Sequence, residues 1–192
     1  MDVDAADLGD GLYRTISSLV VPRPIGWLST VDAAGRDNLA PFSFFNAVSG
    51  RPPVVMAAIG ERDGQPKDTA RFALETGEFV TNLVSPDLVR AMDRTAEAVD
   101  GSEFDAVGLE RVPSVAVSPP RVADAQACLE CEVVESLDRW DHTILFGEVR
   151  HVFVADALLT DGKVDSRKVE AVGRLGGRFY TGLDRLDYLR GT

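Results

Sequence analysis

Lys67-Asp68-Thr69 sets a cation, a carboxylate and a hydroxyl side by side where a helix is expected to begin. Asp68 reads as its N-cap, Ala70, Ala73 and Leu74 follow at helical spacing, and Gly77 closes the run. A helix N-terminus offers free N–H groups and partial positive charge, and a lysine beside it adds a full charge. The triplet therefore reads as a phosphate cradle. Local sequence alone favours the plainer reading, a capped helix with a solvated lysine, because such caps are common.

Three other segments have chemical potential. Phe42-Ser43-Phe44-Phe45-Asn46-Ala47-Val48-Ser49 mixes aromatics with hydrogen-bonding side chains, which suits a planar polar ligand or an aromatic core strand running into a turn. In Pro22-Arg23-Pro24-Ile25-Gly26-Trp27-Leu28-Ser29-Thr30, two prolines fix the backbone around Arg23. Arg23 is suited to an anion or a polar ring edge, or is a surface arginine at the start of a strand. Gly173-Arg174-Leu175-Gly176-Gly177-Arg178-Phe179-Tyr180 has glycines that would let backbone approach a ligand. Of the two histidines, His151 shares a strand face with Leu145, Val149 and Phe153 and reads as packed, and His142 sits at a strand entrance where a ligand contact is possible.

Cys128 and Cys131 form a C-x-x-C, but Leu129, Cys131 and Val133 alternate with Glu130 and Glu132. That is strand periodicity, and residues three apart in a strand point to opposite faces. The pair is therefore expected to be two free thiols, neither chelating nor bridged. Two histidines and two cysteines are too few for a convincing metal cluster. No Walker A, G-x-S-x-G or dinucleotide fingerprint is present.

Strands dominate the elements that must position these groups. Ile25–Val31, a turn at Asp32–Arg36 and a return strand from Asn38 come first. Val54–Ile59 and Phe79–Leu83 flank the helix that starts near Asp68. Ser85-Pro86 opens a second helix through about Thr95. Residues 100–124, with prolines outside any period, read as loop with short strands. Leu129–Leu137 and Ile144–Val154 read as a long hairpin, and the tail from Asp156 as irregular. The spacing is too tight for βαβ crossovers and fits a Greek-key or meander barrel with inserted helices.

At 192 residues the chain is long enough for about one domain, taking about 150 residues per domain. Residues 1–11 are expected to be a flexible end and 12–192 a single domain. A net charge of −11 argues against nucleic acid and against anionic membrane surfaces. The acidic start is unlike a secretory signal, and Val54–Ile59 is too short to span a bilayer. A cytoplasmic location is the expectation.

In order along the chain, Arg23–Thr30, Asn38–Asn46, Lys67–Arg71, Thr76–Leu83, Leu129–Cys131, Phe146–Val149 and Gly173–Gly177 resemble the flavin reductase-like family with the FMN-binding split barrel. The resemblance runs from about residue 13 to 181. It implies a mainly β fold: a six-stranded antiparallel split β-barrel (Greek key) with inserted short helices, forming a homodimer with one FMN per subunit. It implies that Lys67, Asp68 and Thr69 meet the phosphate. The isoalloxazine ring would lie against the segments holding Arg23, Pro24, Ile25, Trp27, Ser29 and Thr30, and Asn46, Ala47, Val48 and Ser49, while Arg174 closes over the cofactor side. Trp27, Phe44 and Phe45 are candidate apolar walls, and backbone N–H groups of Asn46–Ser49 candidate donors to the ring's polar edge. Position 26 is Gly where relatives often have Ala. The implied activity is a reductase passing electrons from NADH or NADPH through FMN to a free flavin, a flavin-dependent monooxygenase or another acceptor, with no catalytic side chain required. The alternatives are an FMN electron-transfer protein without NAD(P)H activity and a cofactor-free barrel dimer used for interaction.

Overall fold

The computed structural model describes residues 2–183. A 3-10 turn at Ala5–Leu8, capped by the Asp4 carboxylate, lies within residues 1–11 and leads into α1 (Gly11–Leu19). Then come β1 (Arg23–Pro24), β2 (Gly26–Val31), β3 (Asp37–Phe42), β4 (Phe45–Gly50) and β5 (Pro53–Gly60). Next are α2 (Asp68–Thr76), β6 (Glu78–Asn82), α3 (Val89–Arg94), α4 (Glu103–Val107), β7 (Arg111–Val112) and β8 (Arg121–Val122). The long β9 (Ala127–Arg139) and β10 (His142–Val154) are followed by a small pair, β11 (Leu159–Thr160) with β12 (Lys163–Val164), and by β13 (Gly173–Arg174) and β14 (Tyr180–Thr181), which join β1 in a three-stranded sheet of order β1-β13-β14.

The main sheet has seven antiparallel strands in the order β3-β2-β6-β9-β10-β5-β4. The expected mainly β class with short inserted helices holds, but the expected count of six strands does not. The chain bends at Ser43-Phe44, so the aromatic segment splits into the end of β3 and the start of β4. β4 then pairs along β5 as a seventh, edge strand.

Two apolar clusters cover the sheet. Trp27, Leu39, Val80, Phe104 and Cys128 belong to one, and Leu28, Ala57, Phe79, Cys131 and Leu145 to the other. Neighbours in sequence such as Trp27 and Leu28, or Phe79 and Val80, thus enter different clusters, as a period of two requires. Cys128 and Cys131 fall on the same rule, both buried and unbridged. Burial pushes both thiols up to about 12. We expect slow labelling of the native chain and two alkylated cysteines after denaturation without reductant; an intramolecular disulfide by mass spectrometry would refute the strand geometry.

Two features hold β10 and the segment after α4 in place. A Cβ at Gly147 would penetrate the buried Phe79 ring, with Cys131 Cβ only 2.9 Å away. Gly147→Ala should therefore cost about 1–3 kcal/mol by overpacking, read as a lower midpoint of thermal or urea unfolding. Glu130, on β9, is fully buried and accepts hydrogen bonds from the backbone N–H groups of Val115 (2.9 Å) and Ala116 (2.6 Å). α4 lies in the stretch read from sequence as loop; the Ser102 hydroxyl accepts from Phe104 N at 3.2 Å and Gly108, at φ 72°, ends it.

Candidate functional site

Lys67 is the N-cap of α2, so the helix begins one residue earlier than the sequence suggests, and it makes no side-chain cap. Asp68, read as the cap, is the first helical residue and is ion-paired with Arg71. Its carboxylate is therefore engaged along the helix. The Lys67 ammonium sits 5.6 Å from the centre of the Phe42 ring. Among the described residues no carboxylate pairs with it. Burial, then the charge of Arg62, lowers its pKa below that of an ordinary lysine.

Lys67 and Arg62 face a basin of about 390 Å³ that four carboxylates also line, those of Asp63, Asp68, Glu97 and Glu103. Asp68 is held by Arg71, and the half-buried Glu103 accepts from Leu39 N at 3.0 Å. Burial raises the Glu103 pKa despite that hydrogen bond. Thr69 is almost fully buried, and its hydroxyl accepts from Asn38 Nδ2 at 2.8 Å. The other proton of that amide goes to Thr30 Oγ1, 3.2 Å away. Thr30 and Thr69 thus form a buried polar wall behind the basin.

Pro41, Phe42 and Ala96 form a ridge shared with a second basin of about 500 Å³. This one lies between α1 and the Gly173–Thr181 strap, and Arg23, Ile25 and Arg174 line it. Arg23 is not free to hold an anion as its position suggested. It is buried and donates to Ser17 O, to Val20 O (3.0 Å), to Leu175 O (3.1 Å) and to Ser43 Oγ (3.3 Å). Carbonyls at a helix C-terminus lack intrahelical donors and attract a cation. Arg23 satisfies two carbonyls at this end, Ser17 O in α1 and Val20 O at its C-cap.

The remaining predicted residues lie apart. Pro24 and Asn46 line a shallow depression that shares Arg23 and Ser43 with the second basin. Ala47 and Ser49 open onto a different depression, beside Val149 and His151. Val48 is bulged out of register between them and half exposed. Trp27, Ser29 and Thr30 have no exposed surface. The Trp27 indole donates inward to Thr95 Oγ1 at 2.9 Å, so it forms no wall of a surface site. Phe45 lies over Gly26, where a Cβ would approach its ring to 2.6 Å. Phe44 stacks on His142 at 5.7 Å, and that imidazole also meets Asp141 at 2.7 Å.

Sequence reasoning missed Arg62, Arg14 and the Tyr180–Asp93 contact. Nothing local distinguishes Arg62 or Arg14 from solvated arginines. Tyr180 donates to Asp93 Oδ1 at 2.5 Å across a long span of sequence. Burial first, and then Asp93, pushes the Tyr180 hydroxyl up to about 12. Among the described residues no helix is long and apolar enough to cross a membrane.

The model of the flavin reductase like domain matches residues 17–168. A functionally unassigned protein of Aquifex aeolicus is 40% identical over 176 residues, covering 90% of each chain. The crystal structure of nitrilotriacetate monooxygenase component B from Bacillus cereus superposes with a TM-score of 0.92 at 27% identity, covering 98% of both chains. That of 2-nitrobenzoate 2-nitroreductase from Pseudomonas fluorescens gives 0.91 at 28% identity, covering 100% of this chain and 97% of that one.

Proposed function

The chain belongs to the flavin reductase-like family, and from that premise we propose that it is an FMN-dependent oxidoreductase reduced by NADH or NADPH. The observation that carries the cofactor is Lys67: a half-buried ammonium with no carboxylate partner among the described residues, beside Arg62 at the start of α2. An FMN phosphate carries about two negative charges, and this arrangement complements it. Phe42 and Pro41, on the ridge between the basins, offer apolar contact to the ring. The ring's polar edge would find donors along β4, whose outer backbone edge pairs with no strand among the described residues.

Bound FMN supplies the redox chemistry, accepting a hydride and releasing electrons to an acceptor. The residues of the chain bind and orient it, and no side-chain acid or base is needed. The acceptor we propose is a flavin-dependent monooxygenase or a free flavin, in keeping with the Bacillus cereus protein's name as a monooxygenase component.

We also propose a homodimer. Among the described residues β4 is an open edge, and Val48, Val134, Leu137 and Val152 on the strands and Ile16 and Leu19 on α1 are exposed apolar side chains. An open edge and exposed apolar groups are the usual marks of a surface covered by a partner. Sedimentation should show a dimer at micromolar concentration; a monomer there refutes it.

The experiment for the activity is anaerobic. Protein loaded with FMN should lose its visible flavin absorbance on addition of NADH or NADPH. Bleaching by dithionite but by neither nucleotide would leave an electron carrier without its own nicotinamide activity. Failure to retain FMN would refute the cofactor.

A further inference from the structure

We infer that the basin between α1 and the Gly173–Thr181 strap is a subsite for a planar aromatic carboxylate, separated from the Lys67 basin only by the Pro41–Phe42 ridge. Its place beside a flavin rests on the proposed function; recognition of the carboxylate does not. At about 500 Å³ the basin has the size of a small-molecule site. Its lining is apolar and aromatic where a ring would rest, with Ile25, Phe42, Met92 and Tyr180.

Charge marks the second basin. It is lined by three arginines, Arg14, Arg23 and Arg174, and one carboxylate, Asp93, a local balance of 3 − 1 = +2. In a chain of net charge −11, the second basin is a local positive focus. Its one carboxylate is engaged, because Asp93 accepts the Tyr180 hydroxyl.

Arg174 is the side chain placed to read an anion. Its Nη2 donates to Gly177 O at 2.7 Å, and its guanidinium stacks 4.4 Å from the centre of the Tyr180 ring. Tyr180 is in turn fixed by Asp93. These contacts, with the Tyr180 hydroxyl also against it, hold the guanidinium plane, and among the described residues no carboxylate forms an ion pair with it. Arg14, on α1, lines the opposite side and likewise has no ion pair among the described residues. A fixed planar guanidinium without an ion-pair partner matches a carboxylate, which takes two parallel hydrogen bonds. This assigns Arg174 to a second ligand and not to the cofactor.

The test is a calorimetric titration of the purified chain with benzoate and with benzamide, with and without FMN. Benzoate should bind with a Kd of about 1 mM or tighter, and benzamide, isosteric but uncharged, at least about ten-fold more weakly. Arg174→Gln should weaken benzoate about ten- to a hundred-fold and leave benzamide and FMN unchanged. Arg14→Gln should give a smaller loss for benzoate alone. Equal affinity for the two probes, or benzoate binding indifferent to Arg174→Gln, overturns the subsite. So does displacement of benzoate by FMN together with loss of FMN affinity in Arg174→Gln, which would place the flavin phosphate here. Retention of the benzoate pattern in a chain that binds no FMN upholds the subsite and refutes only the cofactor.

Discussion

Lys67→Ala will weaken FMN binding about ten- to a hundred-fold, the equivalent of losing one charged hydrogen-bond partner at about 1.5–3 kcal/mol. Riboflavin, which lacks the phosphate, will lose much less. The fold should survive, because the Lys67 side chain has no ion-pair partner among the described residues and lies over the Phe42 ring at the edge of an open basin. Two further expectations separate this role from general electrostatics. The Lys67 pKa is lowered by burial and by Arg62, so the apoprotein loses this proton at lower pH than an ordinary lysine would. FMN affinity should therefore fall as pH rises through that lowered pKa, and flavin binding there should take up a proton. Arg71→Ala should also weaken FMN, because it releases the Asp68 carboxylate from its ion pair at the head of α2. Titration of the apoprotein with both flavins decides the matter: equal losses for FMN and riboflavin would show that Lys67 does not meet the phosphate.

Glu130→Ala is expected to lower stability by about 3–5 kcal/mol, the range for breaking a buried charged network from one side. The variant strands two backbone donors, Val115 N and Ala116 N, which have Glu130 as their acceptor. It also strands Arg121, whose Nε lies 3.7 Å from the carboxylate with no hydrogen-bond partner of its own. Arg121 rests over the Phe153 ring at 4.8 Å, so its side chain cannot swing out without uncovering that packing. Replacing Glu130 and Arg121 together by leucine should recover part of the loss, since the unpaired cation is then gone. Urea unfolding measures both. A single-variant loss below about 1 kcal/mol, the scale of an ordinary surface change, would show that the 113–122 segment is held by other contacts.

Legibility in the sequence followed the range of the forces involved. The β9–β10 hairpin was readable because apolar and polar residues alternate over many positions, and the same alternation assigned the two cysteines. α2 was readable from Gly77, which adopts φ 76° at its end. α4 was not, because five residues are too few to show a helical period, although Ser102 and Gly108 bracket them. β2 misled in another way. All six of its residues are buried, so nothing in its pattern says which side chains face a ligand. Trp27 reads as a platform and is in fact core. For the site, the head of α2 could be located from local residues. The second basin could not, since α1, the ridge and the strap come from both ends of the chain. The glycine at position 26 has a tertiary reason as well, the Phe45 ring lying on it.

Arg23 joins parts of the chain that are distant in sequence. One guanidinium bonds carbonyls at the end of α1 and a carbonyl of the strap 152 positions further on. α1 has little else to hold it, Ser17 being its only buried residue, while the strap is also paired with β1 and tied by Tyr180 to Asp93. The two chain ends should therefore open and close as one cooperative unit, well below the free energy of global unfolding. In amide hydrogen exchange, α1 and the strap would share a single protection level, distinct from that of β6 and β9. Cutting the chain before Gly173 would then expose the amides of α1, and deleting α1 would expose those of the strap. The second basin would exist only while both ends are docked.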